Sequence, residues 1–237
     1  MNFEDIGIVL SVRKYGERAG LLELLSKNHG RHVGLARNYQ SKNNQPILQP
    51  GNTISFIWKA RLSEHLGTLT FELDRSRSGK FINNRVSIVV LQTLVSHLRI
   101  LPERESFPEL FNRTSSLLDF TGDYSNLIKG LVLWELFFLE QLGYGVDMSE
   151  CAVTMSNTDL KYISPRTGRA VTKEVGEPYK SKLIEIPEFI FGGSNLNDLE
   201  LKKGLLLTEF FLKRDLYVPL QLNLSKFRDS LNQILSN

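Results

Sequence analysis

Nine basic side chains crowd the start of the chain: Arg13, Lys14, Arg18, Lys27, Arg31, Arg37, Lys42, Lys59 and Arg61. Not one Asp or Glu stands between Glu23 and Glu64, the interval that holds the last six of them. Guanidinium and ammonium groups without carboxylate partners are suited to phosphate contacts, which give binding that depends strongly on salt and weakly on sequence. The cations are strung out rather than forming one run, so they act together only if the fold gathers them. Aromatic rings that could meet bases lie among them: Tyr15 and Tyr39 fall in turns or loops, whereas Phe56 and Trp58 share a strand face that can be core. Tyr39 is favoured as the stacking ring because its neighbours Arg37, Asn38 and Gln40 are polar. The alternative is a solvated surface whose charges serve solubility.

Other chemistry is poorly supported. Gly-x-Ser-x-Gly, Gly-x-x-x-x-Gly-Lys-Ser/Thr and Gly-x-Gly-x-x-Gly are all missing, which disfavours serine hydrolysis, ATP hydrolysis and dinucleotide use by those loops. His29 and His32 flank a turn signal and have no cysteine or third histidine near in sequence, so no metal site is expected. The single cysteine, Cys151, excludes an intrachain disulfide, and without a basic or histidine neighbour it reads as an inert buried thiol. Asp119 and Asp123 flank a helix boundary and suit capping or solubility. A hydrolytic centre would need convergence that the linear sequence does not display.

The elements that must position the cations follow from periodicity. Ile6, Ile8, Leu10 and Val12 alternate as a strand; Leu21 to Ser26 and His32 to Ala36 form a hairpin across Asn28-His29-Gly30. A polar loop with Pro46 and Pro50-Gly51 spans 38–52, and strands return at Thr53 to Ala60 and Thr68 to Leu73. Five short strands with no intervening helical pattern suggest a small barrel, of OB or SH3-like type. The basic, small-residue stretch from Arg75 to Lys80 reads as an exposed linker. Helical spacing then takes over: Val86 to Leu98, Phe107 to Leu118, an apolar helix from Leu127 to Leu142, and two more at 204–214 and 226–235, the last with Ser225 as N-cap. Residues 146–200 show no sustained period and read as an ordered irregular excursion.

The composition agrees with this division. The chain has 237 residues, 41% of them hydrophobic, and a net charge of only +3. Residues 1–85 carry a net charge of +6 and residues 86–237 a net charge of −3, as a nucleic-acid module joined to a scaffold would. Glu4 and Asp5 interrupt any secretory signal, and the apolar stretch Leu131 to Leu142 is short and contains Glu135 and Glu140, so a cytoplasmic protein without a membrane span is expected.

An ordered series of motifs resembles the RecO family of recombination mediators. It runs from Ile8-Val9-Leu10 and Arg13-Lys14-Tyr15-Gly16-Glu17 through His29-Gly30-Arg31 and Ala36-Arg37 to Leu48-Gln49-Pro50-Gly51. It continues at Gly67-Thr68-Leu69, Trp134-Glu135-Leu136, Leu142-Gly143-Tyr144 and Cys151, and Tyr162 to Val171 resembles the alphaproteobacterial form. The resemblance implies an α+β protein: a five-stranded OB-fold barrel over residues 1–78, then an all-helical bundle over 79–237 with the irregular segment 146–200. It implies no enzyme and no cofactor, but a nucleoid-associated mediator that binds single- and double-stranded DNA and anneals complementary strands. Its partners would be RecR, in many organisms RecF, and the acidic, apolar C-terminal tail of the single-strand-binding protein SSB. The helical part would take that tail, although periodicity singles out no groove for it. Many RecO proteins carry a four-cysteine zinc site after the central helix; here Thr154 occupies the second position and no later cysteine exists, so zinc is expected to be absent. A generic OB-type RNA-binding or structural module and an unrecognised hydrolase are the competing readings.

Overall fold

The structure, a computed structural model, describes residues 1–62, 65–81 and 84–235. It divides into two compact units, Met1–Phe120 and Thr121–Asn237.

In the first unit, β1 (Asn2–Tyr15), β2 (Ala19–Ser26), β3 (Gly30–Arg37), β4 (Thr53–Lys59) and β5 (Gly67–Arg75) close into a barrel in the order β1-β2-β3-β5-β4, with a short helix α1 (Asn44–Ile47) between β3 and β4. This is the five-stranded OB-fold. β1 outruns the expected strand at both ends because its polar flanks continue the ladders: Asn2 to Ile8 pair with β4, Gly7 to Tyr15 pair with β2, and the register shifts between Val9 and Ser11. Such a bulge lets one strand bend around two sheet edges. Side chains alternate across the pleat, so Val9, Leu22, Leu24, Ile54, Phe56, Trp58 and Leu69 fill the interior. Closure is a three-residue parallel pairing of Gly34–Ala36 with Gly67–Leu69. A Cβ on Gly67 would lie 2.2 Å from the Trp58 indole, so only glycine lets the strand pass over that ring.

After the barrel come α2 (Ser78–Phe81), α3 (Arg85–Leu98) and α4 (Pro108–Asp119). The Asn84 side chain caps α3 by accepting from the Ser87 amide (3.1 Å), and Pro108 suits the first turn of α4. The stretch expected as an exposed linker holds instead one of the most deeply buried cations of the chain. Arg77 is 1% exposed; its guanidinium donates to the Gly51 carbonyl (2.9 Å), Thr53 Oγ1 (2.6 Å), Ser115 Oγ (2.8 Å) and Asp119 Oδ1 (2.8 Å). The Arg77 hydrogen bond holds the Asp119 carboxyl below the usual carboxylate range; partial burial opposes this, and the charges of Arg77 and Arg75 reinforce it.

In the second unit, α5 (Tyr124–Gln141) starts at Asp123, whose carboxylate accepts from the Asn126 amide (2.9 Å). The segment without periodicity contains a three-stranded sheet in the order β7-β6-β8, made of β6 (Leu160–Ile163), β7 (Ala170–Thr172) and β8 (Ile184–Glu185), with α6 (Lys173–Gly176) following β7. These strands are too short to register as a period. α7 (Asp198–Phe211) runs on into a π-helical turn at Leu212–Tyr217, and α8 (Lys226–Ile234) is capped by Ser225. Lys203 on α7 donates to Glu185 (2.8 Å) and Glu200 (2.7 Å), which ties the small sheet to that helix. No helix among the described residues is long and apolar enough to cross a membrane.

At the centre of this unit Arg228 and Glu135, both wholly buried, form an ion pair at 2.6 Å. Arg228 Nη2 also donates to the Leu205 carbonyl (2.8 Å) and Thr208 Oγ1 (2.9 Å), so α5, α7 and α8 meet at one guanidinium. A buried pair adds little over an apolar replacement, but removing one partner strands the other. Arg228→Met is therefore expected to cost about 3–5 kcal/mol in a urea titration. The double variant Glu135→Leu/Arg228→Met should be clearly more stable than the single one.

Candidate nucleic-acid interface

The barrel register decides which cations meet. Arg13 pairs with Leu21, Leu21 with Leu35, Leu35 with Thr68 and Thr68 with Lys59, one continuous row across all five strands. Directly paired residues point to the same side of a sheet, and the partly exposed members of the row show that side to be the outer one. The adjacent row runs Tyr15, Ala19, Arg37. Because the row encircles the closed barrel, Arg13, Arg37 and Lys59 all lie on its outer surface but on separate strands, β1, β3 and β4; Arg37 is two strands from Arg13, and Lys59 pairs with Asn2 at the opposite end of β1.

Lys14 and Arg18 stand exposed at the β1–β2 hairpin, and Lys42 stands exposed in the loop after β3. Hairpin and loop are joined, since the Asn38 amide donates to the Arg18 carbonyl (2.9 Å). Between the tip residues Glu17 and Arg18 and the loop from Asn38 to Asn44 lies an open polar groove of about 500 Å3. Arg61 is exposed two residues beyond Lys59. Seven of the nine cations are therefore solvent-facing on connected rows, hairpin and loops.

Two are placed differently. Arg31 is turned onto the protein: Nη1 donates to Glu23 (2.7 Å) and Nε to the Leu101 carbonyl (2.7 Å), while Arg99 donates to the second oxygen of the same Glu23 (2.7 Å). Lys27 lines a separate groove of about 610 Å3 together with Glu4, Asp5 and Glu72, which makes that surface net acidic. Tyr39, expected to stack on bases, packs into the end of the barrel. A Cβ on Gly20 would lie 2.7 Å from its ring. Tyr15 is the exposed ring among the cations, at 50%.

The remaining candidates for chemistry are accounted for by packing. His29 Nδ1 lies 3.0 Å from Asp5, and its ring stacks on Phe3 at 3.8 Å. Burial lowers the pKa of His32, and the nearby charge of Arg104 adds to the effect. Burial disfavours a Cys151 thiolate, but hydrogen bonds from the Thr154 hydroxyl and the amides of Thr154, Val153 and Thr172 outweigh it and draw the pKa down to about 6. The sulfur packs in an apolar cluster with Tyr162 and Val171 and hydrogen-bonds to threonines, with Thr172 Oγ1 at 3.9 Å, and the chain has no second cysteine, so these residues do not fit a four-cysteine zinc site. Among the described residues no three His, Cys, Asp or Glu side chains converge on a point that could hold a metal.

Family models describe the two parts of the chain. Recombination protein O N terminal matches residues 1–77 and Recombination protein O C terminal matches residues 94–223. This chain belongs to the RecO family. It is 42% identical over 221 residues to a DNA repair protein RecO of Chelativorans sp. (strain BNC1), covering 92% of this chain and 89% of the relative. To the proteins of the same name from Mesorhizobium japonicum and Sinorhizobium medicae it is 39% identical over 221 residues and 37% identical over 230. Those matches cover 92% and 97% of this chain, and 87% and 92% of the relatives. Both units are thus spanned by RecO relatives.

Because its donors are spent on Glu23 and Leu101, Arg31 of this RecO-family chain should act on stability rather than on binding. Arg31→Ala is expected to lose about 1–3 kcal/mol in urea with unchanged affinity for DNA. Weakened DNA binding at unchanged stability would contradict the assignment.

Proposed function

We propose that this RecO-family chain is a non-enzymatic mediator of DNA repair and homologous recombination. It binds single- and double-stranded DNA, anneals complementary strands and, with RecR and in many organisms RecF, helps load RecA onto DNA coated by SSB. One observation carries this reading: Arg13, Arg37 and Lys59 share the outer surface of one barrel, with Lys14, Arg18, Lys42 and Arg61 exposed on its hairpin and loops. Annealing brings two polyanions together, and its barrier is largely electrostatic. A surface that neutralises phosphates of both strands lowers that repulsion, and the bases then select their partners without any group on the protein transferring a proton. The names of the relatives, DNA repair protein RecO, support the biological setting.

Reversing Arg13, Arg37 and Lys42 to Glu together should weaken binding to both DNA forms. The slope of log affinity against log salt should fall by about 2–3, near 0.7–0.9 per lost phosphate contact. The same variant should anneal SSB-coated complementary strands slowly. Unchanged affinity, slope and annealing would remove this function from the barrel.

The second unit offers a surface suited to the acidic, apolar tail of SSB. On α7, Leu199, Lys202, Leu206 and Phe210 fall on one helical face, Lys213 follows in the π-helical turn, paired with Glu209, and Leu199 and Leu206 are 62% and 57% exposed. An exposed apolar stripe with interleaved ammonium groups complements a peptide carrying both features. Leu206→Glu, with a carboxylate facing solvent on a helix that keeps its core side, should abolish binding of an SSB tail peptide in fluorescence anisotropy. Undiminished binding would exclude this stripe.

A further inference from the structure

Phosphate contacts alone do not favour an unpaired strand, whose charge density is below that of a duplex, so a mediator that prefers it needs a group that reads something only that form exposes. An unpaired base offers its flat face; in a duplex those faces are already stacked. The barrel presents one ring in position to use that difference. Tyr15 ends β1 and is half exposed, and Gly16 follows with a φ of +67°, which turns the chain away from the ring into the hairpin. Tyr15 pairs with Ala19, which pairs with Arg37, so Tyr15 and Arg37 point to the same side with only a methyl group between them. Arg13 lies two residues back on the same strand and therefore on the same side. Strand spacing puts Arg37 about 10 Å from Tyr15, and strand rise puts Arg13 about 7 Å away. The half-exposed ring thus stands on the same side of the sheet as two exposed guanidiniums.

We infer that Tyr15 is the base-stacking residue of the cationic face and sets its preference for single-stranded over double-stranded DNA. One unpaired base lies on the phenol ring while the phosphates on either side of that nucleotide meet Arg13 and Arg37. The inference rests on the cationic face proposed above and adds to it a determinant of strand form. Ala19 is part of the arrangement, because its small side chain leaves the space between ring and guanidinium open. Tyr39 cannot take this role, being packed over Gly20.

The test compares the wild-type chain with Tyr15→Ala, Tyr15→Phe and Arg13→Glu/Arg37→Glu, each titrated against a labelled oligothymidylate and a duplex of equal length at several salt concentrations. Tyr15→Ala should lose about 5- to 150-fold in affinity for the single strand, with the duplex affinity and the salt slope unchanged, and Tyr15→Phe should bind as the wild type does. The double reversal should weaken both forms. In parallel, an oligothymidylate carrying 5-iodouracil, irradiated in complex with the wild-type chain, should crosslink to the tryptic peptide Tyr15–Arg18. Full single-strand affinity in Tyr15→Ala, equal loss on both DNA forms, or crosslinks confined to other peptides would overturn the inference. If the double reversal weakens both forms while Tyr15→Ala weakens neither, stacking fails and the cationic face stands. If the double reversal changes nothing, the face itself fails.

Discussion

The parallel pairing of Gly34–Ala36 with Gly67–Leu69 is the constraint on which the arrangement of the front unit depends. Every other strand contact in the barrel is antiparallel, joining neighbours in the closed order; this short pairing makes a closed surface out of what would be a bent ribbon. It also fixes the register. Slipping the pairing by one residue would send the partners on β5 and β4 to opposite faces relative to β3, and Lys59 would no longer belong to the row that begins at Arg13. The Trp58 indole beneath Gly67 resists such a slip, because a bulkier residue moved into that place would collide with the ring.

Part of the charge within this unit is paired in place. Cations that the chain uses for itself have a carboxylate within reach: Arg31 and Arg99 share Glu23, and Arg75 and Arg77 share Asp119. Arg13, Lys14, Arg18, Arg37, Lys42, Lys59 and Arg61 stand outside those pairs, with Lys27 set apart among acidic neighbours. A modest net charge of +3 understates the local field, because residues 1–85 carry +6 and residues 86–237 carry −3.

The barrel was readable in the sequence because alternating apolar residues and turn signals are local, and the ordered family motifs agreed with them. The fate of single cations was not. Arg31 and Arg37 occupy the same strand and the same side of it, and nothing nearby in sequence distinguishes them. The difference is Glu23 on the neighbouring strand and a carbonyl at Leu101, seventy residues on. Arg77 misled for a similar reason: Ser76, Ser78 and Gly79 around it carry a linker's composition, while its acceptors lie at Gly51, Thr53, Ser115 and Asp119. Tyr39 had polar neighbours in the chain and apolar ones in space. In the rear unit Glu135 sits in an otherwise apolar helix, a local warning that a cation must be near, but no periodicity points to residue 228.

That last separation bears on how the protein is made. Glu135 and its helix are synthesised long before the guanidinium that neutralises the carboxylate, 93 positions later. The buried pair can form only after residue 228 has cleared the ribosomal tunnel, whereas every strand of the barrel lies before residue 76.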